Sequence, residues 1–290
     1  MKPKTQRLQH FSEIEDRYEG FLFDAYGVLV DEQGPIPGAK RLIHRLHENA
    51  RPFWILSNGS SRIEEDLLQH YQNLGFTLAI DQIISSGTLL RSYFATHSFQ
   101  GRSVAVLGPG GSKQYVERAG GKLVDWLAGE PAELVVIANQ TGYPLLEGID
   151  RIISYCFSRL DQGLGLKVII TNPDLIYPKS AGEYGMTAGG VGLIVEESLV
   201  LRYGESVRQH FVRLGKPFAP IFDEAMRRAG SSSLLMIGDQ LMTDIKGAKN
   251  YGLDSLLVGT GLTPVSYFAS IPDDLQPTYT LDSFLNEEAT

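Results

Sequence analysis

The fold of this chain is decided by the stretch Phe21-Leu22-Phe23-Asp24-Ala25-Tyr26-Gly27-Val28-Leu29. Its first residues form a short apolar run between two glycines, which indicates a buried strand. A parallel strand that ends in an acid and then turns at a glycine delivers that acid to the carboxyl edge of a sheet, where open α/β folds bind their ligands. The stretch therefore predicts a functional carboxylate at Asp24.

A second stretch far downstream repeats this arrangement. It reads Leu234-Leu235-Met236-Ile237-Gly238-Asp239, and Asp244 follows within about one helical turn. Two acids at neighbouring strand ends can meet across a sheet edge, and carboxylate oxygens are the ligands of hard cations. We therefore expect Asp24, Asp239 and Asp244 to form a candidate Mg²⁺ site.

The composition indicates a soluble, cytoplasmic α/β protein. The chain has 290 residues, of which 43% are hydrophobic, and it can bury a core and form two domains. The single cysteine, Cys156, fits a reducing compartment, and the polar N-terminus lacks the apolar core of a signal peptide. A net charge of −8 and scattered basic residues argue against nucleic acid, and no apolar stretch reaches membrane-spanning length. We expect neither nucleic acid nor a membrane among its partners.

Short β-rich runs alternate with helical patterns along the chain, which predicts βαβ units and a mostly parallel sheet. The predicted strands are 20–24, 52–57, 82–85, 103–107, 134–139, 167–171, 234–238 and 255–258, and the predicted helices are 37–50, 61–74, 87–97, 111–119, 145–161, 217–229 and 241–251. Residues 172–195 are rich in glycine and proline and are predicted to be an irregular, functional loop.

Spacing predicts where a second domain is inserted. Between Asp24 and Ser57 there is room for one loop and one helix only, whereas the stretch from Ser57 to Lys216 contains several extra strands. We expect an inserted domain at 99–199 and a discontinuous core made of 1–98 and 200–290.

Four segments in this order resemble the motifs of the haloacid dehalogenase-like hydrolase superfamily over essentially the whole chain. They are Asp24-Ala25-Tyr26-Gly27-Val28-Leu29, Ile55-Leu56-Ser57-Asn58-Gly59-Ser60, Gly215-Lys216-Pro217 and Gly238-Asp239-Gln240-Leu241-Met242-Thr243-Asp244-Ile245-Lys246-Gly247-Ala248. The resemblance implies an α/β fold with a Rossmann-like parallel-sheet core and an inserted α/β cap domain. The position of the insertion resembles class IIA, the sugar, nucleotide and p-nitrophenyl phosphatase branch. Within the cap, Val104–Gly108, Thr171–Asp174 and Gly189–Gly192 are similar to segments of that class.

The resemblance implies a Mg²⁺-dependent phosphatase for a small phosphate monoester. Asp24 would attack phosphorus and form an aspartyl-phosphate, and Lys216 would neutralise the nucleophile and a phosphate oxygen. Mg²⁺ would bind Asp24, Asp239, the backbone carbonyl of Tyr26 and, directly or through water, Asp244.

The remaining phosphate oxygens would be held by Ser57, Asn58 and the amide of Gly59 at a helix N-terminus. Asn172 and Asp174 would either reach the substrate from the cap or only shape a turn. Dimers that form through the cap occur in the class, so a homodimer is expected.

One position departs from the phosphatase pattern. Most phosphatases of the superfamily carry a second aspartate two residues after the nucleophile as general acid and base, and this chain has Tyr26 there. A backbone carbonyl can still bind the metal at this position, but loss of a general acid–base typically costs about two to four orders of magnitude in rate.

This departure leaves two alternatives. One is a weakly active or non-catalytic protein that binds phosphate esters. The other is a 2-haloacid dehalogenase, because a halide leaves without protonation. Against the dehalogenase, those enzymes use no metal, lack the acid that Asp239 supplies, and carry their cap between the first and second motifs.

Overall fold

A computed structural model describes residues 5–180 and 182–285. The strands are β1 Gln6–Arg7, β2 Gly20–Phe23, β3 Val30–Asp31, β4 Gly34–Pro35, β5 Phe53–Ser57, β6 Ile83–Ser85, β7 Ser103–Leu107, β8 Lys122–Leu123, β9 Leu134–Ile137, β10 Val168–Ile170, β11 Ile176–Ser180, β12 Glu183–Met186, β13 Phe211–Arg213, β14 Leu234–Gly238, β15 Asp254–Val258 and β16 Tyr279–Leu281. The α-helices are α1 Ala39–Glu48, α2 Glu64–Asn73, α3 Leu89–Thr96, α4 Gly110–Arg118, α5 Leu145–Asp161, α6 Ala188–Tyr203, α7 Ala219–Ala229 and α8 Lys246–Tyr251.

The chain forms two compact units. The core unit consists of Met1–Ser57, Glu64–Ile84 and Lys216–Thr290, and the cap unit consists of Asn58–Ile63 and Ser85–Gly215. The predicted domain limits at 99 and 199 stay a prediction, because compactness does not by itself define a domain that folds independently. The outermost residues of the predicted core, 1–4 and 286–290, lie outside the described residues.

The core unit is built on a seven-stranded sheet with the order β1-β16-β15-β14-β2-β5-β6. The five pairs from β1 to β5 are all parallel. All four residues of β2 are buried, which is why this central strand is a continuous apolar run rather than an alternating one. Helix α1 buries Ala39, Leu42, Ile43 and Leu46, a spacing that places one apolar stripe on the sheet side.

The cap unit has its own five-stranded parallel sheet with the order β13-β10-β9-β7-β8. A separate cluster of buried apolar residues, including Val135, Ile152 and Val195, joins this sheet to α5 and α6. The predicted fold class, a Rossmann-like parallel-sheet core with an additional α/β cap, is confirmed.

The predicted loop over 172–195 is wrong. This stretch contains the antiparallel hairpin β11–β12 and the first half of α6. The glycines of α6 serve close packing and not a turn. A Cβ on Gly189 would lie 2.2 Å from the carbonyl oxygen of Pro173, and one on Gly192 would lie 2.4 Å from Ile170. Glycine is therefore needed where the helix meets neighbouring atoms.

Two helix starts also differ from the sequence prediction. Helix α2 begins at Glu64, so Gly59 does not lie at its N-terminus, and that part of the predicted phosphate site is wrong. Instead of one helix over 241–251, a π-helical turn spans Leu241–Ile245 and α8 follows it. Such π turns inside helices occur often at functional sites.

Candidate active site

The ends of three neighbouring strands meet at one edge of the core sheet. Strand β2 pairs in parallel with β14 on one side and with β5 on the other. Asp24 follows β2, Asp239 follows β14, and Ser57 is the last residue of β5. Because the strands are parallel, these three side chains lie at the same carboxyl edge.

The π-helical turn brings Asp244 to the same place. Its Oδ2 accepts a hydrogen bond from the backbone N–H of Gln240 at 3.1 Å, which fixes the carboxylate against the start of the turn. A Cβ on Gly238 would lie 2.2 Å from Cβ of Asp244. Position 238 therefore has to be glycine for the turn to fold back onto the strand end.

Asp24, Asp239 and Asp244 form a buried acidic cluster. Each offers one carboxylate oxygen, and these oxygens all lie within 4.8 Å of one another. Their exposed fractions are only 7%, 1% and 0%, respectively. Three carboxylates at such distances repel each other strongly unless positive charge is placed among them.

Lys216 supplies one positive charge to this cluster. Its Nζ lies 2.7 Å from Oδ1 of Asp24 and 2.7 Å from Oδ1 of Asp244. Burial alone would lower the pKa of Lys216, but the two carboxylates outweigh burial and raise it. The lysine is therefore charged at neutral pH and bridges the two acids.

One lysine does not balance three acids. Burial, together with the charges of Asp24 and Asp244, raises the pKa of Asp239 well above its usual value. Burial and the charge of Asp24 likewise raise the pKa of Asp244 to about 7. In both cases burial is the largest cause, because it penalises the charged form.

Glycines enclose Asp239. A Cβ on Gly27, which has φ +87°, would lie 2.5 Å from Oδ2 of Asp239, and one on Gly261 would lie 2.1 Å from the same atom. Oδ2 also accepts a hydrogen bond from the N–H of Leu262 at 2.6 Å. Backbone atoms of two loops thus hold one oxygen of this carboxylate in place.

The cluster fits a hard divalent cation. Oδ1 of Asp239 is buried and, among the described residues, accepts no hydrogen bond. A buried acceptor without a partner costs free energy, and an ion that binds it removes this cost. The donor set consists only of oxygens, as Mg²⁺ requires, and its formal charge of three carboxylates and one lysine is still negative.

Tyr26 is half-buried, and its hydroxyl donates a hydrogen bond to Oε2 of Glu32 at 2.5 Å. Burial, together with this hydrogen bond and the charge of Glu32, raises the pKa of Tyr26. The side chain is therefore a neutral phenol at pH 7 and a poor base. Its predicted roles in catalysis and, through its carbonyl, in metal binding stay predictions.

The structure brings three of the other predicted residues, Asn58, Asn172 and Asp174, together within the cap unit. Nδ2 of Asn58 donates to Oδ1 of Asp174 at 2.8 Å, and Oδ1 of Asn172 accepts from the N–H of Asp174 at 2.9 Å. Asn58 is buried. The roles of Ser57, Asn58 and Gly59 in phosphate binding, and of Asn172 and Asp174 in substrate binding, stay predictions.

Sequence reasoning missed three supporting groups. These are Glu32, the N–H of Leu262, and Thr260, whose hydroxyl donates to the carbonyl of Gly27 at 2.6 Å. A signal was present for the last two. They follow the apolar strand β15 in a glycine-rich turn, Gly259-Thr260-Gly261, which repeats the pattern of a strand that ends in a polar turn.

Two family models match the chain. The haloacid dehalogenase-like hydrolase model matches residues 21–122, and a second, HAD-hydrolase-like model matches residues 213–286. The first match contains Asp24 and Ser57. The second match contains Lys216, Asp239 and Asp244.

Curated relatives match over nearly their full length. The chain is 29% identical to the 5'-nucleotidase YutF of Bacillus subtilis over 272 residues, covering 92% of this chain and 96% of the relative. It is 30% identical to human chronophin over 284 residues, covering 93% of this chain and 92% of the relative.

A solved structure has the same architecture. A possible sugar phosphatase of the HAD superfamily from Cytophaga hutchinsonii superposes with a TM-score of 0.82 at 28% identity, covering 98% of this chain and all of that one. Among the residues that the structure describes, no helix combines the length and the apolar character needed to cross a bilayer. Asp24, Lys216, Asp239 and Asp244 occur in the order of the family's motifs. Together with this order, the matches show that the chain belongs to the phosphatase branch, class IIA, of the haloacid dehalogenase-like hydrolases.

Proposed function

We propose that this protein hydrolyses a small phosphate monoester, a sugar phosphate or related metabolite, with Mg²⁺ and through an aspartyl-phosphate. The observation that carries the proposal is the contact between Lys216 and Asp24 within the buried acidic cluster. Such a cluster has little use as a structural element, because buried like charges destabilise a fold. It is suited to a reaction in which a phosphate dianion must approach a carboxylate.

In the proposed reaction, a carboxylate oxygen of Asp24 attacks phosphorus in line with the leaving oxygen. The bond to the leaving oxygen breaks as the new P–O bond forms, and Asp24 carries the phosphoryl group. Water then attacks the phosphorus of this intermediate and releases inorganic phosphate and free Asp24. Lys216 stabilises the negative charge of the transferring group, and its raised pKa keeps it protonated during both steps.

We assign the metal-binding role to Asp24, Asp239 and Asp244, with the carbonyl of Tyr26 as a further ligand. The bound ion supplies the positive charge that offsets the carboxylates and the phosphate dianion. Oδ1 of Asp239 supports this assignment, because it is buried and accepts no hydrogen bond from the part of the chain that the structure describes.

The phosphate oxygens are assigned to Ser57, Asn58 and the N–H of Gly59. Ser57 ends the strand next to Asp24, which supports its role. Since helix α2 starts only at Glu64, the N–H of Gly59 would act without the help of a helix terminus. Asn172 and Asp174 are assigned to substrate binding.

In the proposed reaction, Tyr26 determines which leaving groups give fast turnover. Its phenol is a weak acid, and its hydroxyl is bonded to Glu32, so it is a poor proton donor to an alkoxide. We therefore propose slow turnover of alkyl phosphates and faster turnover of p-nitrophenyl phosphate, whose leaving group needs little protonation.

The substrate class rests on the relatives, which by their names are a nucleotidase, chronophin and a possible sugar phosphatase. A screen of phosphate esters that includes sugar phosphates, nucleoside monophosphates and p-nitrophenyl phosphate tests it, with Mg²⁺ and with EDTA. Hydrolysis is expected in the presence of Mg²⁺ and not in the presence of EDTA. Turnover that persists in EDTA, or release of halide from 2-haloacids, would contradict the proposal.

Further assignments follow from the sequence only. A cytoplasmic location and a homodimer stay proposals. Light scattering of the purified protein would test the dimer.

A further inference from the structure

The loop that follows strand β15, residues 259–264, is bonded to Asp239 at two points. The N–H of Leu262 donates to Oδ2 of Asp239 at 2.6 Å, and the N–H of the next residue, Thr263, donates to the main-chain carbonyl of Asp239 at 3.1 Å. Two consecutive N–H groups of this loop therefore hold both the side chain and the main chain of one acid. The loop contains none of the site residues that were predicted from the sequence.

The same loop decides which oxygen of Asp239 is open to an ion. Oδ2 accepts from Leu262, and the backbone of Gly261 lies so close to Oδ2 that a Cβ there would be 2.1 Å away. Oδ1, in contrast, is buried and accepts no hydrogen bond from residues 5–180 and 182–285. Outer hydrogen-bond partners commonly orient the ligands of a metal ion in this way. Oδ1 is therefore the oxygen of Asp239 that remains for a cation.

The side chain of Thr260 ties this loop to the turn that follows Asp24. Its hydroxyl donates to the carbonyl of Gly27 at 2.6 Å. The backbone of Gly27 also lies against Asp239, since a Cβ there would be 2.5 Å from Oδ2. The turn is itself fixed, because the N–H of Gly27 donates to the carbonyl of Val30 at 2.8 Å. The bond from Thr260 therefore closes the loop and the turn around the same carboxylate oxygen.

We propose that Thr260 is a positioning residue of the metal site. Its hydroxyl holds the loop against Gly27, so that Oδ2 of Asp239 stays bonded and Oδ1 stays available to Mg²⁺. This rests on the proposed function, in which Asp239 binds the ion. Without the hydroxyl the loop can move away from the turn, and the N–H of Leu262 loses its fixed position. An ion must then order a carboxylate that is free to rotate, which weakens its binding.

The proposal predicts weaker binding of Mg²⁺ when this hydroxyl is removed. Thr260→Val keeps the shape of the side chain and is expected to raise the dissociation constant of Mg²⁺ about 10-fold or more, as is usual for the outer partners of metal ligands. Thr260→Ser keeps the hydroxyl and is expected to bind Mg²⁺ nearly as well as the unmodified protein. At saturating Mg²⁺, the kcat of Thr260→Val for p-nitrophenyl phosphate is expected to be nearly normal, because a weaker site can still be filled.

The experiment follows the melting temperature of each variant as Mg²⁺ is added without substrate, which gives the dissociation constant in the absence of turnover. Thr5→Val is the matched control, because the hydroxyl of Thr5 also donates to a main-chain carbonyl, that of Pro277, at 2.8 Å. Thr5 precedes the parallel strand β1 and so lies at the opposite edge of the core sheet. Melting in EDTA shows how much each substitution alters the fold itself. Thr260→Ala places no methyl group against the carbonyl of Gly27, and it provides the test if Thr260→Val does not fold.

An unchanged dissociation constant in Thr260→Val and Thr260→Ala would overturn the inference and leave the proposed function intact. The same holds if Thr260→Ser or Thr5→Val loses as much affinity for Mg²⁺ as Thr260→Val does. The titration needs no substrate, so a protein that binds Mg²⁺ but hydrolyses no phosphate ester would refute the proposed function alone. Absence of any effect of Mg²⁺ on the melting of the unmodified protein would refute both.

Discussion

The ammonium group of Lys216 lies 2.7 Å from Oδ1 of Asp24 and is almost completely buried with it. The contact makes the lysine the counter-ion of Asp24, the proposed nucleophile. Lys216 and Asp24 come from opposite parts of the chain, so the site forms only when both halves of the core fold together.

Lys216→Met is expected to lower kcat for p-nitrophenyl phosphate by about 100- to 1,000-fold, the usual loss when one group that stabilises transition-state charge is removed. It also leaves buried carboxylates without their partner, which destabilises proteins by about 3–5 kcal/mol. Kinetics and urea unfolding measure the two effects. Lys249→Met, a lysine that bonds a backbone carbonyl elsewhere in the core unit, is the control. Near-normal kcat in Lys216→Met would contradict its role.

Asp24→Asn is expected to abolish turnover, because an amide oxygen is too weak a nucleophile to displace the leaving group. Acid quenching during turnover, followed by mass spectrometry, should find a phosphoryl group on the peptide of Asp24 in the unmodified protein and none in the variant. Asp16→Asn makes the same chemical change at an exposed position and should behave normally. Retained activity in Asp24→Asn would remove Asp24 as the nucleophile.

Tyr26→Asp is expected to raise kcat for an alkyl phosphate such as glycerol phosphate by at least about 100-fold, since it supplies a general acid. The gain should be much smaller for p-nitrophenyl phosphate. Tyr26→Phe removes the hydroxyl and its bond to Glu32 without adding an acid, and should give no gain. If the aspartate variant is no faster on the alkyl ester, then the explanation based on the missing acid is wrong.

Mg²⁺ is expected to raise the melting temperature of the protein, because it binds the folded cluster and not the unfolded chain; a concentration 100 times Kd adds about 2.7 kcal/mol. Asp239→Asn should lose this stabilisation and, without metal, should melt no lower than the unmodified protein. Scanning calorimetry with Mg²⁺ or EDTA measures both. Asp223→Asn, whose carboxylate instead accepts a bond from Tyr251, is the control. Equal stabilisation of Asp239→Asn would place the ion elsewhere.

The metal-free protein should lose stability as the pH rises. The pKa of Asp244 is raised from 3.8 to about 7 in the folded state, so between these values the folded protein binds more protons than the unfolded chain. The contribution of Asp244 to the free energy of unfolding is therefore complete below about pH 4, and it is lost as the pH increases through about 7. Urea unfolding in EDTA at pH 5 to 8 should give a falling free energy of unfolding, with a smaller slope in Asp244→Asn. Equal slopes would contradict this origin.

The sequence alone was sufficient to predict that two acids lie at the same edge of the core sheet. Asp24 and Asp239 each follow a buried apolar run, and parallel pairing of those runs is enough to bring both to the same edge. Their geometry with Lys216 could not be predicted in the same way. It depends on how the π-helical turn folds Asp244 back, and local propensity does not specify a turn of this kind.

The wrong prediction for the start of α6 has one physical cause. Glycine is frequent both in loops and where backbones pack closely, and the two uses look alike in a sequence. Gly189 and Gly192 belong to the second kind, so α6 was predicted as a loop. The bond from Tyr26 to Glu32 was equally hidden, because it depends on side-chain conformation across a turn.

The enclosure of Asp239 by Gly27 and Gly261 has a consequence for how the protein can evolve. Because the main chain of both glycines lies against this carboxylate, a single added methyl group at either position would intrude on Oδ2. These two positions therefore resist even the smallest enlargement, whatever changes occur elsewhere in the chain.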